Sequence, residues 1–479
     1  MDMVRLRCIA SALVALPLSA CAHYQRYSPA PLAPAQETAR YAARRLDDTA
    51  LARFLAAHGA QALDSSWDSR QLSLAALYFR ADLAQARGAL EVARAGEITA
   101  GERPYPSVSA TTERAARPDE GNSTPWTFSL TAGLALELGG KRAARVEHAR
   151  AVTLASRLRL EWTAWQIAQS AHLAAATAIA AEADLADARA ETEALRELVQ
   201  LLHGRYAEGQ ISRGEVARAE SDAQTSAVAA TQAARSRMEA RLELAHALAV
   251  PLGSVDTLPL APDPQPACAT DSLTLDSLET MALRARADVG AALADYAAAE
   301  ADLRLQVAQQ YPDIVVGPGI AWEQGVRRWI LSLALPSIAT DRARGPIAEA
   351  TAKRAVQAAR VTLVQDEALA AVDSSAAACV TARRDVLVAD SLVNITREQL
   401  RIADLAYQRG ETGQTEVAFA RLALVRAERV ADQARHRIAT AGAALESSTG
   451  VWLSGLPLQW SDILVPADTA GHAPEHHQE

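Results

Sequence analysis

The chain states one structural phrase twice. Tyr105-Pro106-Ser107-Val108, then Trp126-Thr127-Phe128-Ser129-Leu130, then a long alanine-rich run from about Lys141 make the first copy. Tyr311-Pro312-Asp313-Ile314, Trp329-Ile330-Leu331-Ser332-Leu333 and a run from about Pro346 make the second. The copies are offset by 206 residues (311 − 105) at the tyrosines and 203 (329 − 126) at the tryptophans. A third landmark, Tyr206-Ala207-Glu208-Gly209 against Tyr407-Gln408-Arg409-Gly410, is offset by 201 (407 − 206). A repeat this long, with a strand pair between helices, constrains the chain to one unit built twice. Its 479 residues would otherwise suggest two or three independent domains.

From Trp126 the alternation is nearly unbroken: Trp126, Phe128, Leu130, Ala132, Leu134 and Leu136 fall on one face, and Thr127, Ser129, Thr131, Gly133 and Ala135 on the other. The run matches the ~9–11 residues that a tilted strand needs to cross a bilayer. Ile314, Val316, Ile320 and Trp322 repeat the pattern less cleanly, and Trp329, Leu331, Leu333 and Leu335 complete it. Trp126, Trp322 and Trp329 flank the inter-strand loops while Tyr105 and Tyr311 mark the opposite ends, in the manner of aromatic girdles. The sequence therefore predicts membrane strands with Trp126, Phe128, Leu130, Trp329, Leu331 and Leu333 facing lipid. Alternation alone is equally compatible with a half-buried antiparallel sheet in a soluble protein. Four strands cannot close a barrel, and an open edge in hydrocarbon leaves backbone groups unpaired at several kcal/mol each. A membrane sheet of this size requires several copies to pool their strands.

Residues 1–20 read as a lipoprotein signal peptide: Arg5 and Arg7 begin it, and the apolar stretch Ile9 to Leu18 is too short to span a membrane. Leu18-Ser19-Ala20-Cys21 resembles a lipobox, making Cys21 the lipidated first residue, with the alternative of a plain secretory signal. Ala22 after that cysteine, rather than Asp, points to the outer membrane. Cys268 and Cys379 carry no metal or redox spacing, and no structural disulfide is expected between them. A net charge of −9 leaves no basic surface suited to nucleic acid.

The domain plan follows the repeat. After an extended N-terminal segment (21–66), repeat 1 covers 67–250, with a leading helix over 67–100, a hairpin at 105–136 and a helix pair reversing at 204–211. A Pro-rich linker (251–273) leads to repeat 2 (274–450), with a leading helix over 274–309, a hairpin at 311–335 and a turn at 409–414. Residues 451–479 form a C-terminal segment and disordered tail. No proline interrupts Lys141 to His203, and those 63 residues as one helix extend ~95 Å. Helices of this length fit coiled coils or tubular walls, and alanine at packing positions lets them approach closely. The turns place glycines (Gly209, Gly410, Gly413) where a tight reversal needs positive φ. That local reason leaves unexplained why Tyr206 and Tyr407, and the acids Glu215 and Glu416, recur in both halves.

On these features the chain resembles the TolC-type outer-membrane factor family over nearly all of its mature length: lipobox, two helix–hairpin–helix repeats, and Tyr-x-x-Gly turns. Gly317-Pro318-Gly319 and Gly345-Pro346-Ile347-Ala348-Glu349-Ala350 resemble its CzcC-like heavy-metal branch. The resemblance implies a mainly α fold with a small membrane β part, as a homotrimer pooling a twelve-stranded barrel above a long α-helical periplasmic tunnel. It implies an exit duct for a resistance–nodulation–division pump reached through a periplasmic adaptor, with Tyr206, Gly209, Tyr407 and Gly410 at the docking and gating end. It also implies acids lining a constriction after the second turn. Glu416 stands at one such place; at the other this chain has Phe419. A ring of carboxylates at a narrow mouth concentrates cations, but an acid in a helix's first turn also simply favours the macrodipole. Both readings stand for Glu416; for Glu215 the helix-end reading is the simpler.

No HExxH, phosphate-loop or GxSxG motif is present, and no enzyme activity or cofactor beyond lipid on Cys21 is expected. In the tail, His472, His476 and His477 are a weak metal-ligand candidate, with an inert solvated tail as the alternative. The expected cargo is heavy-metal cations. The alternatives are drugs or organic compounds through the same duct, or a lipid-anchored envelope scaffold that conducts nothing.

Overall fold

A computed structural model describes residues 27–60, 66–116, 126–262, 268, 274–323, 326–334 and 343–453. Cys21, the signal sequence and the histidines His472, His476 and His477 lie outside these residues. Residues up to Arg44 form one unit, whose described part carries α1 (Pro34–Ala42). Everything below concerns the second unit, from Arg45 onward.

That unit contains α2 (Thr49–Ala57), α3 (Ser69–Phe79), α4 (Ala81–Gly101), β1 (Ser107–Arg114), β2 (Trp126–Leu136), α5 (Lys141–Ala207) and α6 (Arg213–Leu248). The second repeat supplies α7 (Leu275–Ala285), α8 (Ala287–Ala308), β3 (Ile314–Glu323), β4 (Val326–Ala334), α9 (Arg344–Gln408) and α10 (Gln414–Thr449). The two-repeat, mainly helical architecture is as the sequence indicates. The 67 residues of α5 extend ~100 Å as one helix. The segment expected to be extended over 21–66 instead carries α1 and α2; Asp48 caps α2 by accepting from the Ala50 N–H at 2.9 Å.

Each leading helix is broken in two rather than continuous. Arg80 and Arg286, also 206 residues apart (286 − 80), both take extended backbone and end one helix where the next begins. Each guanidinium then pairs with the acid two residues on, Arg80 with Asp82 at 2.9 Å and Arg286 with Asp288 at 2.6 Å. Neither proline nor glycine makes these bends. A short Arg-Ala-Asp clasp holds them.

The largest core lies where α2, α3, the middle of α5 and the end of α6 meet. Leu51, Leu55, Leu72, Leu74, Leu244 and Leu248 are buried there. They pack on an alanine stripe of α5: Ala164, Ala168, Ala171, Ala175 and Ala178. Small side chains at i, i+3 and i+4 spacing bring helix axes close; the Ser73 hydroxyl donates to the Ala168 carbonyl at 3.0 Å. A capping box between Asp68 and Gln71 fixes the start of α3.

The described part of the linker, 251–262 and Cys268, is not free chain. Trp67 forms a parallel bridge with Leu260, and buried Arg241 donates to the Val255 and Leu258 carbonyls at 2.8 and 2.9 Å while pairing with Glu182. Cys268 and Cys379 form a disulfide, which corrects the expectation of none. Their Cα atoms are 5.3 Å apart, within bridging reach. Spacing in sequence could not report this, because the fold folds the linker back onto α9.

The strands form one four-stranded antiparallel sheet in the order β1-β2-β3-β4. The two hairpins meet through β2 and β3, so β1 and β4 are its edges. Its base is tied to the helices by Asp313, which accepts from Lys141 Nζ at 2.7 Å.

Candidate functional site

Residues opposed across antiparallel strands project to the same side, so the register defines the sheet's two faces. Val108 and Ala110 of β1 stand opposite Ala132 and Leu130; Phe128, Leu130 and Leu134 stand opposite Trp322, Ile320 and Val316; Ile320 and Val316 stand opposite Trp329 and Leu333. With Leu331 beside Pro318, one largely apolar face crosses all four strands, and at its loop end Thr112, Arg114 and Arg327 stand opposite Phe128, Trp126 and Trp322. The Phe128 and Trp322 rings pack at 5.8 Å between centroids. The reverse face is mostly small or polar, apart from Val315, Val326 and Ile330, with the Ser109 and Thr131 hydroxyls bonded at 2.6 Å and Ser332 donating to the Gly317 carbonyl at 3.0 Å.

Among the described residues nothing covers the apolar face. Trp329 is 83% exposed, Leu331 76% and Leu333 61%, and Trp126 and Phe128 are exposed as well. An ordinary half-buried sheet would lay this face on a core. Among the described residues no helix is long and apolar enough to cross a membrane, which says nothing about strands.

The far ends of the long helix pairs carry the two matched turns. Gly209 and Gly410 have φ of +72° and +73°. In each turn the glycine N–H donates to the tyrosine carbonyl three residues back, Tyr206 or Tyr407, at 2.9 Å. The next N–H donates to Arg205 or Ala406, also at 2.9 Å. This is the double hydrogen bond that closes a helix on a left-handed residue. Both tyrosine side chains are exposed. Gly413 differs from expectation: its φ is −88°, and it is the extended residue that opens α10.

Glu215 is a helix-end residue. It completes a capping box with Ser212, and the hydrogen bonds from Ser212 hold its carboxyl below the usual carboxylate range. Glu416 occupies the equivalent first-turn place on α10, where Gly413 offers no capping side chain. It faces Arg205 of the first repeat at 3.6 Å. Phe419, one turn on, is 51% exposed. Arg205, Glu215, Phe419, Leu422 and Arg426 line a groove of about 780 Å³ here. Arg205 was not singled out by sequence, since nothing local distinguishes it from the other arginines of α5.

Among the described residues no group of three or more His, Cys, Asp or Glu side chains is placed to hold a metal ion.

Residues 72–250 match the model of the family described as outer membrane efflux protein. No curated protein sequence matches the chain. Among solved structures, the chain is similar to the outer membrane protein VceC from Vibrio cholerae, with 20% identity, 80% of this chain and 96% of that one covered, and a TM-score of 0.64. It is similar to the outer-membrane channel OprN at 20% identity, with 90% and 98% covered and a TM-score of 0.62. It is similar to CusC, whose structures describe transmembrane channel formation, at 15% identity, with 90% and 99% covered and a TM-score of 0.63. The fold is the TolC-like fold of these outer-membrane proteins.

Proposed function

We propose that this protein is the outer-membrane exit duct of a tripartite efflux system, working as a lipid-anchored homotrimer and passing heavy-metal cations. The observation that carries the duct reading is the sheet: four strands with an uncovered apolar face, a polar reverse face and two open edges. Such a sheet is stable in hydrocarbon only when its edges are paired, and copies of itself supply the pairing. Trp126, Phe128, Leu130, Trp329, Leu331 and Leu333 then face lipid and the hydroxyl-rich side faces water.

The long helix pairs continue the duct below the sheet. Their tips, with Tyr206, Gly209, Tyr407 and Gly410 on rigid matched turns, are where a periplasmic adaptor would bind and link the duct to a resistance–nodulation–division pump. The acid at the tip, Glu416, and the short stretches around Gly317 and Gly345 support a cationic cargo. The exposed Phe419 beside Glu416 favours a second reading, the same duct carrying organic compounds. The protein supplies no energy in either case.

The test is single-channel conductance of detergent-purified protein in planar bilayers, with and without divalent cations. Discrete steps that respond to divalents are expected. Silence that persists in variants altered at both Tyr-x-x-Gly turns would instead favour a non-conducting scaffold.

A further inference from the structure

The seam between α5 of the first repeat and α10 of the second is an antiparallel ladder of ion pairs. Glu197 meets Arg421 at 3.2 Å, and Glu191 meets Arg426 at 2.8 Å and Arg429 at 3.0 Å. Asp184 takes Arg429 at 3.3 Å and the Gln433 amide at 2.9 Å. In each of these rungs the acid is on α5 and the base on α10. Asp187 breaks the pattern.

Asp187 lies at i+3 from Asp184 and i−4 from Glu191, on the same helix face. Its Oδ2 is buried and, among the described residues, has no hydrogen-bond partner. Around it from α10 stand Glu428 and Asp432, two more carboxylates, with Arg429 already shared between Asp184 and Glu191. Asp432 is held by Arg435, which also holds Asp390 of α9. On the α6 side Ala230, Ala233 and Ala234 pack on Leu185 and Ala188, which flank Asp187, and Arg237 pairs with Glu182 and Asp256. Glu428 is itself paired with Arg397 of α9 at 3.7 Å, and His436 lies half-buried beside Asp432 and Asp184.

We propose that Asp187 is a proton-operated latch on the seam between the repeats: protonated, it lets α5 and α10 close together, and ionised, it drives them apart. Burial first, then the charges of Asp432 and Asp184, push its carboxyl up to about 6, against the pull of Arg429. A folded value raised above the ordinary 3.8 gives stability that is complete below 3.8 and is lost as pH rises through about 6. His436 works in the opposite sense. Burial lowers its pKa, so its neutral form favours the closed seam and that contribution is lost on acidification. Beyond the Glu191 and Glu197 rungs the seam reaches the tip, where the polarity reverses and Arg205 of α5 faces Glu416 of α10; loosening that spreads along the seam would reach this pair. That consequence for conduction rests on the duct reading; the response of the seam does not.

The test is hydrogen–deuterium exchange on the full-length purified protein from about pH 5 to about pH 8, corrected for the intrinsic pH dependence of exchange. The peptides followed cover 180–195 and 425–440. In the wild type, protection of both should fall several-fold with a midpoint near the Asp187 transition. Asp187→Asn and Asp187→Ala should keep the acidic-pH protection throughout, and His436→Gln should keep the wild-type transition. A flat wild-type profile, or a wild-type transition surviving in both Asp187 variants, would overturn the proposal. So would loss of protection at every pH in both variants, since the side chain would then be a structural contact only. Conductance plays no part, so a failed duct reading leaves the result interpretable.

Discussion

Cys268 and Cys379 are joined across 111 residues of sequence, and the loop they close contains α7, α8, both strands of the second hairpin and half of α9. Around the bridge pack Leu278, Ala282, Val372, Ala382 and Leu445, so it pins the linker and α7 onto the long helices. Chain-entropy reasoning gives a loop of this length about 5 kcal/mol of stabilisation at most. A Cys268→Ser/Cys379→Ser double variant should therefore unfold at clearly lower temperature than the oxidised wild type. The wild type should shift on a gel when reduced. An unchanged melting temperature, or no reductant-dependent shift, would remove the bridge from the account of stability.

The two faces of the sheet differ by one residue of register, which makes them separable by experiment. Leu130 stands between Ala110 and Ile320 on the apolar side, and Ser129 stands between Thr111 and Ala321 on the polar side. Leu130→Arg places a guanidinium toward lipid, at a cost of ~2–4 kcal/mol near mid-bilayer, and should reduce the yield of assembled oligomer in membranes. Ser129→Arg faces the other way and should assemble nearly as well as wild type. Equal yields from the two variants would contradict the proposed orientation.

The matched turns differ from their neighbour Gly413 in backbone rather than in sequence. An L-residue in the left-handed region costs roughly 1–2 kcal/mol, and Gly209 and Gly410 both sit there. Gly209→Ala and Gly410→Ala should each loosen the tip, read as faster proteolysis within the turn. Gly413→Ala meets only the end of the Glu416 side chain, 3.1 Å from the added carbon, and should have much less effect. If all three behave alike, the backbone explanation is wrong.

The sequence carried those features whose physics is local. Alternation from Trp126 to Leu136 described β2 to the residue, and the lack of proline after Lys141 announced α5. Gly209 and Gly410 were legible because a reversal between helices needs them. Gly413 was misread because a neighbouring glycine in a turn carries no mark of its own φ. The bends at Arg80 and Arg286 are not legible in the sequence, although Arg-Ala-Asp recurs at both: an arginine clasp lacks the composition signal of a helix stop. The neighbours of Cys379, Asp187 and Glu416 depend on how distant helices register, and periodicity along one helix cannot supply that.

Glu416 shows what the added partner changes. Sequence offered two readings, a cation-concentrating ring or an acid favoured by a helix N-terminus, and neither contained Arg205. In the structure the acid is in the first turn and also faces that guanidinium at 3.6 Å, with both groups partly exposed. An exposed pair of this kind contributes only about 0–1 kcal/mol, so removing it should leave folding intact. It would still screen the carboxylate, and a ring of Glu416 side chains would attract cations more strongly once Arg205 is gone. Arg205→Gln should therefore raise cation selectivity in bilayer recordings, Glu416→Gln should lower it, and the melting temperature should move little in either. Selectivity unchanged in both variants would leave Glu416 as a helix-end residue and shift the constriction to Phe419. Opposite shifts from the two variants are the signature of a carboxylate that acts on ions in the mouth and is tempered by its neighbour.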